Sequence, residues 1–155
     1  MPTDHALSAD ALTELAQQIK AWGSELGFQQ VGISGTDLTL AEQRLEAWLA
    51  AGYHGEMGYM QRHGAKRSRP ALLEPGTRSV ICVRMDYLPP DDDPDAVLQD
   101  PGSAFISRYA LGRDYHKVLR RRLARLARRI EQLTGPFGYR AFVDSAPVLE
   151  KPLAE

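Results

Sequence analysis

The 155-residue sequence contains a single cysteine, Cys82, and this scarcity limits what the chain can be. One thiol cannot form an internal disulfide, and it cannot supply the four thiolates of an iron–sulfur cluster or an all-cysteine zinc site. No apolar run approaches the roughly 18–20 residues of a membrane-spanning helix. The N-terminal stretch MPTDHALSAD lacks the basic and apolar segments of a secretion signal. These absences predict a soluble, cytoplasmic chain with no membrane partner.

Several motifs that would reveal a cofactor or a catalytic group are also missing. The sequence has no GxxxxGK[ST] or GxGxxG phosphate-binding loop, no GxSxG nucleophile and no HExxH zinc site. His54, His63 and His116 lie without the spacing of metal ligands, so we expect no metal site. The aspartates of segment 91–95 lack the glycine and distal glutamate of an EF-hand loop, which favours a solvated loop.

The overall composition is that of one globular domain. Hydrophobic residues make up 43% of the chain and charged residues 25%, which excludes a disordered or fibrous protein. A chain of this length can bury an adequate core without disulfide or metal cross-links, and we expect a monomer. The formal net charge of −1 predicts no bulk affinity for nucleic acid or membranes, although the charges are unevenly distributed.

Hydrophobic periodicity and capping residues predict several helices. They are expected over residues 8–26, 39–52 and 114–134, and from residue 146 onward. Ser8 is the expected N-cap of the first helix, and Gly27 is expected to end it in a left-handed conformation. Thr39 and Glu42 have the spacing of a capping box that opens the second.

Short apolar segments predict strands between these helices. Strands or extended segments are expected over residues 28–33, 79–87, 104–109 and 137–144. The most apolar of them, 79–87, is expected at the centre of the sheet, and the proline-rich segment 88–103 is expected to be an exposed loop. The irregular alternation of elements favours an α/β (α+β) sandwich, in which helices flank a mixed sheet.

The predicted helix over 114–134 is unusually basic. It carries Lys117, Arg120, Arg121, Arg122, Arg125, Arg128 and Arg129. Helical spacing places Arg121, Arg125 and Arg128 along one flank, where they could neutralise phosphates of an RNA backbone. The alternative is a solubilising face whose arginines pair with acidic neighbours. The residues alone leave both interpretations open.

A second candidate site is Asp144, which follows a predicted strand and precedes a predicted helix. The carboxyl ends of strands often border ligand sites in α/β proteins. The alternative is that Asp144 or Ser145 only caps the helix that follows. These alternatives also remain open from the residues alone.

Three segments, taken in order, closely resemble the N-terminal domain of the epoxyqueuosine reductase family. They are YHGEM at 53–57, SRYALGRDYH at 107–116 and VDSAPVLEKPLAE at 143–155, with KRSRP at 66–70 between the first two. The resemblance covers almost the whole chain. It implies a cobalamin-binding fold similar to those of reductive dehalogenases and of the B12-processing protein.

The resemblance implies an oxidoreductase that reduces the epoxide of epoxyqueuosine at the wobble position of tRNA, using cobalamin and an external electron donor. Enzymes of the family also carry a ferredoxin-like part with two 4Fe–4S clusters, which one cysteine cannot ligate. Residues 1–155 are therefore expected to be a truncated N-terminal cobalamin-binding and catalytic domain, inactive alone. The alternatives are a cobalamin-binding or trafficking module without tRNA chemistry, and an RNA-binding helix domain without a cofactor.

The resemblance also assigns roles to individual residues. Asp144 matches the family's proton donor beside the cofactor, and Arg67 and Ser107 match its cobalamin contacts. Tyr109 is a further candidate for the cofactor and His116 for the substrate. Because a carboxyl group donates a proton at neutral pH only when it is desolvated and distant from cations, we expect Asp144 in an apolar pocket over the cobalt, away from the arginine flank.

Overall fold

The structure, a computed structural model, describes residues 8–88 and 93–155. The longer elements are α1 (Ala9–Glu25), β1 (Gln30–Ser34), α2 (Thr39–Ala50), β2 (Val80–Arg84) and α5 (Tyr115–Thr134). The shorter helices are α3 (Tyr59–Arg62), α4 (Pro94–Gln99) and α6 (Glu150–Ala154). Single 3-10 turns occupy Gly64–Arg67, Pro70–Leu72 and Arg108–Ala110. Among the described helices, none is long and apolar enough to cross a membrane.

β1 and β2 form an antiparallel pair, in which Gln30 lies opposite Arg84 and Ser34 opposite Val80. This pair is the only sheet within the described ranges, so the prediction of a mixed sheet was wrong for them. Segments 104–109 and 137–144 join no ladder, because an alternating pattern forms a strand only where a partner strand accepts its hydrogen bonds.

The ends of α1 follow the predicted capping pattern. The Ser8 hydroxyl oxygen accepts a hydrogen bond from the Ala11 amide at 3.2 Å, and Gly27 has a φ of 83°. The fourth predicted helix begins later than expected, at Glu150. The predicted loop at 88–103 is interrupted by α4, while residues 89–92, with part of the acidic run, lie outside the described residues.

The Thr39–Glu42 capping box was a wrong prediction. Asp37 instead accepts hydrogen bonds from the Thr39 amide at 3.0 Å and from its hydroxyl at 2.6 Å. The Glu42 carboxylate is turned away to Arg69, which donates to it at 2.6 and 3.0 Å, and to the buried hydroxyl of Ser68. A tertiary ion pair has thus replaced the local cap.

The core lies between α1, the sheet and the inner face of α5. It contains Ile19, Leu26, Phe28, Leu126 and Ile130. α1 approaches β1 closely at Gly23, where an added Cβ would lie 2.4 Å from a Val31 methyl group. This packing fixes α5 against the sheet, so that both ends of α5 have defined positions.

Polar contacts hold the C-terminal segment to the sheet and to the 3-10 turn at Gly64–Arg67. The Ser34 hydroxyl donates to the carbonyl of Leu153 at 2.6 Å, and the Leu149 amide donates to the carbonyl of Arg67 at 3.0 Å. Burial raises the pKa of the nearby Cys82 thiol, which therefore remains protonated at neutral pH. Cys82 is a packing residue in this setting.

Candidate functional site

Asp144 occupies an unusual backbone conformation at the end of segment 137–143. Its φ is 55°, and it is the only non-glycine residue with a positive φ in the described ranges. Aspartate tolerates this left-handed region better than most residues. The preceding residue, Val143, is buried, so the sharp turn directs the Asp144 carboxylate away from this buried residue to the first turn of α5.

One carboxylate oxygen of Asp144 is the centre of a polar cluster. The Tyr115 hydroxyl donates a hydrogen bond to Oδ2 of Asp144, and Nε2 of His116 lies 3.9 Å from the same oxygen. The His116 imidazole stacks on the Tyr115 ring with 4.1 Å between centroids. On its other side, Nδ1 of His116 lies 3.0 Å from Oδ1 of Asp114.

The electrostatics of this cluster assign a role to each partner. The hydrogen bond to Asp144 raises the pKa of Tyr115 from 10.0 to about 12, so its hydroxyl is a donor throughout the neutral range. The hydrogen bond from His116 lowers the pKa of Asp114. Asp114 also caps α5 by accepting from the His116 amide at 3.0 Å, so one carboxylate fixes both the helix start and the imidazole.

A small hollow of about 380 Å³ opens beside Asp144. Its walls are Met85, Tyr87, Tyr109, Tyr115, Leu119 and Asp144. The Tyr109 ring meets the Tyr115 ring edge-on, with 6.0 Å between centroids. Three tyrosine rings and one carboxylate can together bind a flat, partly polar ligand, which stacks on a ring and accepts a proton from a polar group.

A larger cleft of about 1030 Å³ lies between β2, the inner face of α5, segment 137–144 and α6. Met85, Leu119 and Asp144 line both this cleft and the small hollow. Asp144 therefore stands where the two spaces meet. The volume is at the upper end of the ~300–1,000 Å³ typical of small-molecule sites, which corresponds to a large ligand.

The surroundings of Asp144 differ from the predicted dry pocket. Its side chain is 53% exposed, and the imidazole of His116 lies within 4 Å. The Arg120 guanidinium also donates to the hydroxyl of Ser145, the next residue, at 3.1 Å. The prediction of an apolar pocket without neighbouring cations was therefore wrong, because the polar first turns of α5 form one of its walls.

Two other predicted residues, Arg67 and Ser107, line neither of these spaces. Arg67 is buried, with 9% of its surface exposed, and its guanidinium donates to the carbonyls of Met60 at 3.1 Å and Tyr59 at 2.9 Å. Ser107 is exposed and precedes the 3-10 turn at Arg108–Ala110. A cobalamin contact by either residue stays a prediction.

The remaining predicted residues divide between the site and the far side of α5. Tyr109 and His116 lie with Asp144, as described, whereas Arg121, Arg125 and Arg128 are exposed along the helix. Sequence reasoning missed the roles of Asp114 and Tyr115. A signal was available, since an aspartate two residues before a histidine at a helix start can cap the helix and hold the imidazole together.

Comparison with known proteins adds an independent finding. A family model described as "Epoxyqueuosine reductase QueG, DUF1730" matches residues 67–145. The curated epoxyqueuosine reductase of Pseudomonas aeruginosa is 62% identical over 154 residues, which cover 99% of this chain and 43% of that protein. The chain thus spans about two fifths of the length of this relative.

Solved structures show the same fold. A crystal structure of selenomethionine-labelled epoxyqueuosine reductase is similar with a TM-score of 0.75 and 22% identity, over 93% of this chain and 38% of that one. A crystal structure of epoxyqueuosine reductase with an epoxyqueuosine-modified tRNA-Tyr stem loop has a TM-score of 0.74 at 22% identity, with the same coverage of 93% and 38%. At this identity the likeness concerns the fold alone.

Proposed function

This chain belongs to the epoxyqueuosine reductase family, and from that premise we propose that it supplies the acid–base site of an oxidoreductase that reduces epoxyqueuosine to queuosine in tRNA. The observation that carries the proposal is the Asp144 carboxylate, which accepts the Tyr115 hydroxyl hydrogen bond where two hollows meet. A tRNA substrate would place the protein in the cytoplasm, with an external electron donor.

The proposed reaction requires a proton donor at a defined place. Conversion of an epoxide to an alkene breaks two carbon–oxygen bonds, consumes two electrons and two protons, and releases the oxygen as water. An oxyanion develops when the ring opens, and a positioned acid accelerates such a step by about 10²–10⁴-fold. We assign this acid role to Asp144, with the Tyr115 hydroxyl as a second donor beside the same oxygen.

The half-exposed carboxylate fits this role if the ligand itself excludes water. A planar guest in the two hollows would cover the open side of Asp144, and desolvation favours the neutral form of a carboxyl group. The imidazole of His116 is a further group from which a proton could be returned, since its Nε2 lies 3.9 Å from Oδ2 of Asp144. One water molecule or a substrate oxygen can bridge that distance.

Cobalamin is the cofactor that we propose for the larger cleft. The volume of about 1030 Å³ and the apolar side chains of Leu119 and Leu123 along one wall are compatible with a macrocycle. Asp144 and Tyr109 would border its reactive side. Reduced cobalamin would supply the electron pair. In a family protein, the thiolates of any 4Fe–4S cluster would come from outside these residues, which contain one cysteine.

The proposal is tested with the family-length protein that carries this chain, reconstituted with cobalamin and clusters. The substrate is an anticodon stem loop that contains epoxyqueuosine, and nucleoside mass spectrometry measures the loss of one oxygen atom. We expect Asp144→Asn to lower turnover by about 100-fold or more. Asp86→Asn, at an exposed aspartate outside both hollows, is the matched control and should retain activity.

Two results would contradict the proposal. Equal turnover by wild type and Asp144→Asn would remove the proton-donor role. If the wild type and Asp144→Asn both bind cobalamin but neither converts epoxyqueuosine, a cobalamin-binding or trafficking module is favoured. Thermal melting of each variant serves as the check that the protein is folded.

A further inference from the structure

The structure sorts the cations of α5 into two groups. Arg122 turns inward and donates to the Gly27 carbonyl at 2.8 Å, while Arg129 pairs with Glu25 at 2.5 Å. Arg120 binds the Ser145 hydroxyl, and Lys117 lies 4.0 Å from Asp114. The remaining three, Arg121, Arg125 and Arg128, are exposed and form no ion pair with a carboxylate in the described parts of the chain. We call these three residues the outer arginine strip.

The outer arginine strip lies on the side of α5 opposite the core. Steps of four and three residues, at about 100° each, place the three side chains within an arc of roughly 60°. The buried residues Leu126 and Ile130 lie on the other side. Like charges separated by one helical turn repel each other. The three arginines of the strip therefore do not stabilise the fold by burial or by ion pairing. Their mutual repulsion lowers the stability of the folded chain when no ligand is bound.

The strip begins close to the candidate site. α5 starts with Tyr115 and His116, which contact Asp144, and Arg121 lies about 9 Å further along the helix axis. Arg120, the residue before the strip, is bonded to Ser145 beside the site. Six residues at about 100° each place Arg121 roughly 120° around α5 from Tyr115. A nucleic acid with one nucleoside in the small hollow would therefore meet the strip with phosphates further along its backbone, not with the adjacent ones.

The chemistry of the strip favours RNA phosphates over a membrane surface. Guanidinium groups bind phosphate oxygens with two parallel hydrogen bonds, and the strip spans about 10 Å along the axis, which is room for a few phosphates. The uncharged residues on this face are Val118, Ala124 and Gln132, and Lys117 adds a further cation. A membrane-binding helix would need large apolar side chains there.

We propose that the outer arginine strip binds the phosphate backbone of the tRNA anticodon stem loop on one side of the modified nucleoside. This inference rests on the proposed function and names the part of the molecule that holds the substrate. Of the acidic residues near this flank, Asp114 and Glu25 pair with other residues. Glu131, three positions after Arg128, forms no ion pair with it in the described parts of the chain.

The test measures binding of an unmodified, fluorescein-labelled anticodon stem loop to the family-length protein. The strip variant is Arg121→Gln, Arg125→Gln, Arg128→Gln. The control variant, Lys20→Gln, Arg44→Gln, Arg62→Gln, removes the same charge from exposed cations elsewhere. We expect the strip variant to bind about tenfold or more weakly at moderate salt, and the slope of log K against log salt to fall by about 2. The control should stay within about threefold of wild type.

Three results would overturn the inference. The first is an equal loss of stem-loop affinity in both triple variants, and the second is an unchanged stem-loop affinity in the strip variant. The third is a strip variant that no longer binds phosphatidylserine vesicles but still binds the stem loop. Replacement of the three arginines by lysine should restore most of the affinity. The strip variant should melt at or above the wild-type temperature, because repulsion is removed. The binding probe contains no epoxyqueuosine, so this test does not depend on the reaction. If the protein binds the stem loop through the strip but does not reduce epoxyqueuosine, the proposed function is refuted and this inference stands.

Discussion

At the scale of single residues, the candidate site depends on the backbone of Asp144. A φ of 55° turns the side chain from the buried Val143 towards α5. Asparagine also tolerates this conformation, whereas most side chains do not. Asp144→Asn is therefore the substitution that removes the acid and keeps the turn, and a loss of activity in that variant reports on chemistry.

The Tyr115–Asp144 contact predicts a stability change at alkaline pH. The pKa of Tyr115 is raised from 10.0 to about 12 in the folded chain, so between those values the folded chain binds a proton that the unfolded chain has lost. The free energy of unfolding should therefore fall as the pH rises from about 10 to about 12. Urea titrations at several pH values should show a larger loss in the wild type than in Tyr115→Phe, where the raised pKa of Cys82 still contributes.

The control for this measurement is Tyr139→Phe, at an exposed tyrosine outside the small hollow. It should follow the wild-type pH dependence. If Tyr115→Phe and the wild type lose stability in parallel above pH 10, the hydrogen bond from Tyr115 to Asp144 does not form in solution.

At the scale of elements, α5 combines three separate tasks. Its inner face packs in the core, its first turn holds Tyr115 and His116 at Asp144, and its outer face carries the arginine strip. The periodicity of the sequence predicted this helix to within one residue, because an apolar stripe and a terminal glycine, Gly135, are local signals.

Local sequence patterns predicted the wrong structure where contacts with distant residues determine it. Glu42 has the spacing of a capping residue and instead pairs with Arg69, 27 positions away along the chain. Segment 137–144 has the pattern of a strand but has no described partner strand. The sequence of a segment alone does not show whether a partner strand or an ion-pair partner will lie beside it. Both depend on which elements meet in the fold.

The packing of α5 gives a prediction about stability. Leu126 is 2% exposed, and its replacement by alanine should lower the free energy of unfolding by about 3 kcal/mol through lost burial and a residual cavity. Leu133, on the same helix, is 57% exposed, and Leu133→Ala should cost less than about 0.5 kcal/mol. Urea unfolding of the two variants checks the difference. Similar losses would contradict the orientation of α5.

At the scale of the whole molecule, the site combines residues that are distant in sequence. Asp144 and Tyr109 line the small hollow and His116 lies beside Asp144, whereas Arg67 and Ser107 line neither space. The roles that the resemblance gives these five residues stay predictions. The resemblance pointed to Asp144 because this residue lies in a contiguous segment, and its role as the proton donor stays a prediction. The exposure of Asp144 was mispredicted, since the burial of a side chain depends on every element that surrounds it in the fold.

We propose that Asp144 protonates the substrate during epoxide reduction. The most direct measurement is the single-turnover rate of queuosine formation by the reduced, cobalamin-loaded family-length protein, because it separates chemistry from product release. We expect Asp144→Asn to slow this rate by about 100-fold or more while the affinity for the stem loop is unchanged. An unaltered single-turnover rate would contradict it.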